Sequence, residues 1–147
     1  MEDISLHILD IVDNSIRAGA ENITIDVTED QETDILRLEI IDDGEGMDET
    51  TMKNVTDPFF SSKENKRIGL GVPLLAQSAR DAEGKLVVES KTGGGTRLIA
   101  TFKWSHPDRK PMGDLAETIR VMEFTHPEIS FIYRYKNTRD TNKEEKE

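Results

Sequence analysis

Residues 35–47 read ILRLEIIDDGEGM. Leu36, Leu38 and Ile40 recur at every second position, the period of a strand with one buried face. The alternation ends at Ile41, and DDGEGM at 42–47 is too rich in Gly and Asp for a regular element. Going back toward the N-terminus, NITIDVT at 22–28 repeats the pattern through Ile23, Ile25 and Val27. The polar run Glu29–Asp34 between the two reads as a hairpin connection. Ahead of them, ISLHILDIVDNSIR at 4–17 changes period. Ile4, Ile8, Ile11 and Val12 fall on one helical face, which Leu9 and Ile16 widen. Asp3 or Ser5 can cap this helix, and Gly19 stands where it would stop.

Beyond the DDGEGM turn, Asp48–Val55 suits a short helix, and 57–67, DPFFSSKENKR, a loop with an aromatic anchor. Gly71–Ala82 reads as a helix with Pro73 in its first turn, where proline is tolerated. Lys85–Ser90 and Thr96–Trp104 read as strands joined by a TGGG turn. HPDRKP at 106–111 marks a boundary. After it, Gly113–Phe124 reads as a helix capped by Asp114, and Ile129–Tyr135 as a strand. The last twelve residues, KNTRDTNKEEKE, have no apolar member and are expected to be disordered. This order of elements implies an α+β sandwich, with helices on one face of a mostly antiparallel sheet.

The 147 residues suit one domain, and there is no cysteine for a disulfide or a thiolate metal site. No apolar run reaches the length of a membrane-crossing helix, so a cytoplasmic placement and no membrane partner are expected. Thirty acidic against 19 basic residues leave a net charge of −11. That sign repels a phosphate backbone, so nucleic acid is not an expected partner. A nucleotide remains compatible, because a bound Mg²⁺ and aimed backbone amides act locally.

Four stretches can carry chemistry. In DDGEGM, paired glycines let the backbone approach a flat ligand, and a carboxylate there can accept from an exocyclic amine such as adenine N6. Alone, the hexamer is equally an acidic surface turn. In DIVDNSIRAGA (10–20), Asp10 and Asn14 are four apart and share a helix face. They can orient a water and bind a hard cation, or simply be solvated. RIGLGVPLLA (67–76) sets Gly69 and Gly71 just before a helix, where exposed amides suit a phosphate. The alternative is a glycine-punctuated loop. TGGGTR (92–97) can bring the Thr96 hydroxyl to a ligand or be a plain hairpin turn.

Taken together, the sequence resembles the GHKL superfamily of topoisomerase ATPase subunits, Hsp90-type chaperones, sensor histidine kinases and mismatch-repair ATPases. DIVDNSIRAGA looks like its N box, closest to the mismatch-repair form, and DDGEGM like its G1 box. DPFFSSK resembles the histidine-kinase F box, RIGLGVPLL the G2 box and GGGTRLIATF the last strand motif. The five follow family order over about residues 5–103. The resemblance implies a Bergerat-type two-layer α/β sandwich, with an ATP-binding domain at 1–105. A helix-strand appendage at 106–135 and a polar tail at 136–147 would follow it.

By similarity, Asn14 would hold Mg²⁺, and Asp42 would accept from adenine N6 with Thr96 nearby. Gly44 and Gly46 would shape the adenine pocket, and Met47 would wall it. Gly69, Leu70 and Gly71 would offer amides to the phosphates. The segment 61–68 would be a lid from which Lys63 reaches a phosphate oxygen, with Phe59 and Phe60 at its base. Asp10 would be the general base, although the hydrolysing branches usually carry glutamate there. The shorter carboxylate implies slow hydrolysis, or transfer to a protein acceptor. A second departure is Arg67, where the G2 box commonly has glycine. The helical hairpin that carries a sensor kinase's phosphoacceptor histidine is not expected here, because the N-box helix begins almost at residue 1. The expected function is therefore a slow ATPase, or a serine or histidine kinase-like regulator of a partner protein. The alternatives are a non-catalytic ATP/ADP-sensing module and, further off, a mismatch-repair-like DNA factor.

Overall fold

The computed structural model describes residues 3–55 and 71–138. Its elements are α1 (Ile4–Arg17), β1 (Asn22–Asp30), β2 (Ile35–Asp42), α2 (Glu49–Lys53), α3 (Gly71–Asp81), β3 (Lys85–Ser90), β4 (Thr96–Lys103), α4 (Leu115–Thr125) and β5 (Ser130–Asn137). The strands form one sheet in the order β3-β4-β2-β1-β5. The pairs β3–β4, β4–β2 and β2–β1 are antiparallel, and β5 joins β1 in parallel. The expected mostly antiparallel α+β sandwich is the architecture found.

Alternation decides which face is dry. Ile23, Ile25 and Val27, then Leu36, Leu38 and Ile40, then Leu98, Ala100 and Phe102 are all buried on the inner face. The apolar stripe of α1, with Leu75 and Ala79 of α3 and Leu115, Ile119 and Met122 of α4, closes over them. Each such aliphatic side chain contributes roughly 1.5–3 kcal/mol by leaving water. The C-terminal helix and strand pack on this same core rather than standing apart from it.

The outer face is open. Glu39 is buried there by its neighbours, accepting from Arg37 at 3.1 Å and from Arg97. Among the described residues, no helix is long and apolar enough to cross a membrane.

Three strands run further than the alternation predicts. β1 continues to Asp30, whose Oδ1 accepts from Glu32 N and Thr33 N at 3.1 and 3.2 Å and so starts the turn. β2 continues through Asp42, which is therefore a paired strand residue and not part of a free turn. Likewise β5 continues to Asn137. At its end Trp104 Nε1 donates to Glu29 at 2.8 Å and the Tyr135 hydroxyl donates to the same carboxylate.

The start of α1 is finished by the far end of the chain. Asp3 accepts from Leu6 N at 3.2 Å, while Ile4 N and Ser5 N donate to the carbonyls of Pro111 and Met112, each at 2.9 Å. These are amides that a helix cannot satisfy internally. Gly113 makes the approach feasible: a Cβ there would lie 2.5 Å from the Asp3 carboxylate.

Candidate functional site

α1, the end of β2, the turn after it and the β3–β4 hairpin enclose a cavity of about 310 Å³. Its walls include Ile11, Val72, Val88, Leu98 and Met47, and its polar groups include Asn14, Asp42 and Thr96. Apolar walls combined with convergent polar groups are the usual form of a small-molecule site.

Asp42 reaches the cavity because it extends the inner-face row of β2 beyond Leu38 and Ile40. Ser15 Oγ donates to its Oδ2 at 2.7 Å, and Gly44 N donates to its Oδ1 at 2.9 Å. Asp43 points elsewhere. It accepts from Asn22 Nδ2 at 2.7 Å, Asn22 N at 2.9 Å and Glu21 N at 2.8 Å. Those bonds, the Asn22 side chain's first, hold its carboxyl below the ordinary range. The two adjacent aspartates thus divide the work: one faces the cavity and one anchors the entry to β1.

The G1 turn and the hairpin are locked together by their glycines. Gly46 has φ +74, and a Cβ there would lie 2.0 Å from the Lys91 carbonyl. Gly95 also has φ +74, and its Cβ would lie 2.2 Å from the Asp42 carbonyl. Neither position admits a side chain without moving backbone. Gly93 N completes the contact by donating to Glu45 O at 2.6 Å.

Of the expected site residues, Asn14, Asp42, Gly46, Met47 and Thr96 line one cavity. Gly44 is buried behind it, against Ala18 and Asp42. Asp10 is exposed on α1 and does not line the cavity. It abuts Gly71 at the start of α3, where an added Cβ would come within 2.8 Å of the Asp10 Cβ. Lys63, Gly69 and Leu70, with the expected lid 61–68, Phe59, Phe60 and Arg67, lie outside the described residues. Among the described residues, no cluster of three or more His, Cys, Asp or Glu could hold a metal.

Reasoning from sequence missed three residues. Arg17 lines the cavity and pairs with Asp13 at 3.0 Å. Its signal was spacing, since it stands three after Asn14 on the same helix face. Ser15 is 5% exposed and bonded to Asp42. Ser90 stands opposite Thr96 in the hairpin register, and its Oγ is 2.9 Å from the Thr96 hydroxyl.

Comparison with known proteins gives this geometry a family. Residues 2–106 match the model of the histidine kinase-, DNA gyrase B- and HSP90-like ATPases. A putative sensor protein of Shewanella frigidimarina is 33% identical over 72 residues, 48% of this chain and 11% of that protein. Sporulation kinase C of Bacillus subtilis is 28% identical over 88 residues, 60% of this chain and 20% of that protein. The chain therefore corresponds to a small part of the curated relatives it matches. A solved structure described as the N-terminal domain of a DNA repair protein superposes with a TM-score of 0.56 at 17% identity, covering 93% of this chain and 50% of that one. That likeness bears on the fold. The family match spans most of the chain and brackets every residue of the cavity: the protein belongs to the histidine kinase-, DNA gyrase B- and HSP90-like ATPase family, whose shared domain binds ATP.

Proposed function

We propose that the cavity holds Mg-ATP, with the adenine against Asp42 and the phosphates toward Asn14 and the start of α3. The observation that carries this reading is the fixed carboxylate of Asp42 in the lining of the cavity, beside apolar walls. An ionised carboxylate is acceptor-only and suits the N–H groups of an exocyclic amine. Gly46 and Met47 give the base a close backbone and an apolar wall, and Thr96 adds a second polar contact.

At the other end, Asn14 offers a side-chain oxygen suited to a hard cation, and Arg17 a charge suited to phosphate. Gly71 would contribute its amide at the helix start, with Gly69, Leu70 and Lys63 completing the phosphate contacts. Mg²⁺, when bound, supplies positive charge that neutralises the phosphates. Asp10 would orient a water or an acceptor hydroxyl beside it. The domain then acts as a slow ATPase or a kinase-like regulator of a partner protein, in the cytoplasm.

The exposure of Asp10, outside the cavity lining, favours one second reading: a module that senses ATP or ADP without turnover. Turnover of Mg-ATP by wild type, Asp10→Ala and Asn14→Ala decides between them. Loss of turnover in Asp10→Ala with binding retained supports the enzyme. Equal turnover in all three would remove any catalytic role from this site.

A further inference from the structure

Three strands place their inner-face end residues in one row. The register sets Ser90 of β3 opposite Thr96 of β4, and Thr96 opposite Asp42 of β2. Ser15 of α1 lies over the end of that row, bonded to Asp42. Counting protons along it fixes which groups can still donate.

Ser90 has one hydroxyl proton. It donates to the Gly95 carbonyl at 2.9 Å, and its lone pairs accept from Met47 N at 2.8 Å. Its remaining contact, 2.9 Å to Thr96 Oγ1, must then take the proton of Thr96. Thr96 is left with lone pairs only toward the cavity. Ser15 also has one proton, within 2.7 Å of Asp42 Oδ2 and 3.3 Å of Ile11 O. The shorter, charge-assisted bond is the stronger. With Gly44 N on the other oxygen, the Asp42 carboxylate is fixed in plane.

We propose that Ser15 and Ser90 are positioning residues that set base selectivity by holding both polar groups of the cavity floor, Asp42 and Thr96, as acceptors. The proposal rests on the adenine reading above. A 6-aminopurine brings two N–H donors to such a floor. A 6-oxopurine brings an oxygen and a single ring N–H, so at most one of the two acceptors finds a donor and the other faces oxygen, which costs more than a missing contact. Neither serine needs to touch the base. Ser90 stands behind Thr96, outside the cavity lining.

The test is calorimetric binding of Mg-ATP and Mg-ITP to the full chain and to Ser15→Ala, Ser90→Ala and Ser90→Thr. The two ligands differ only at the purine 6-position and its ring proton, so their affinity ratio cancels general losses of stability. Wild type should favour ATP by on the order of a hundredfold, and each alanine variant should narrow that ratio about fivefold, the worth of one hydrogen bond. Ser90→Thr keeps the hydroxyl and should restore the ratio. A wild type selective for ATP, with the ratio unchanged in both alanine variants, overturns the proposal and leaves the adenine reading intact. A wild type that binds neither nucleotide, or both equally, overturns the adenine reading and the proposal with it.

Discussion

Around Asp42, at one part of the cavity, each polar group answers to another. Asp42 is held by Ser15 and Gly44, and Thr96 and Met47 N both meet Ser90. Gly46 and Gly95 bring the turn and the hairpin so close that neither position admits a Cβ. Along α1, Asp10 is exposed outside the cavity lining, and the Arg17–Asp13 pair has side chains 56% and 44% exposed. Exposed pairs of that kind hold little energy. The difference teaches where precision resides. On the proposed reading, selection of the base is built into sheet register, whereas handling of the phosphates is left to side chains at the surface.

The severest way to break this contrast is Gly46→Ala. A Cβ 2.0 Å from a carbonyl oxygen, at φ +74, forces the turn off the hairpin. Unfolding stability should fall by about 3 kcal/mol, read from the urea midpoint. Asp42→Asn comes next. Replacing an acceptor-only group by a mixed donor and acceptor should weaken ATP about a hundredfold by calorimetry, with the fold intact by circular dichroism. A loss below threefold would mean that the base end is not where recognition lies.

At the solvent end the effects should separate by kind. Asn14→Ala should reduce the Mg²⁺ dependence of binding, and Asp10→Ala should spare binding but lower turnover about tenfold. If Asp10→Ala instead weakened ATP as much as Asp42→Asn, the two ends would not differ as described. The helix that brings Gly71 to this end offers a gain. Ser78 of α3 is 1% exposed, and its hydroxyl has no partner among the described residues. Ser78→Ala should raise stability by about 1 kcal/mol in urea titration, with nucleotide affinity unchanged.

The smallest effect concerns pH. Burial of Glu39 opposes its charge, but the hydrogen bonds from Arg97 and Arg37 outweigh it and hold the carboxyl below its usual range. A lowered folded-state value means that this contribution is complete above the ordinary carboxylate pKa and drains away as pH falls through the lower one. Glu39→Gln should therefore flatten the acid limb of stability against pH. An unchanged limb would assign acid sensitivity to other carboxylates.

Much of this was legible in the residues. Ile23, Ile25 and Val27, and then Leu36, Leu38 and Ile40, announced two half-buried strands, and the α1 stripe announced its helix. Asn14, Asp42, Gly46, Met47 and Thr96 were expected near one ligand and do line one cavity. What the pattern hid has physical causes. Asp42 looked like turn because a charged residue ended the alternation, yet pairing with Thr96 carried the strand through it. The parallel seat of β5 beside β1 depends on a crossover, which no local periodicity encodes. Ser15 and Ser90 act through partners distant in sequence, so no motif marks them.

The carbonyls of Pro111 and Met112 that receive the first amides of α1 carry a consequence for synthesis. The helix bearing Asp10 and Asn14 is made before the residues that complete its opening turn, which follow about a hundred positions later. β5, still later, must find β1 across the same span. Contacts so remote in sequence form slowly. A nascent chain stalled before Pro111 would therefore carry every residue of the cavity but lack the carbonyls that complete the first turn of α1 and the strand that pairs with β1.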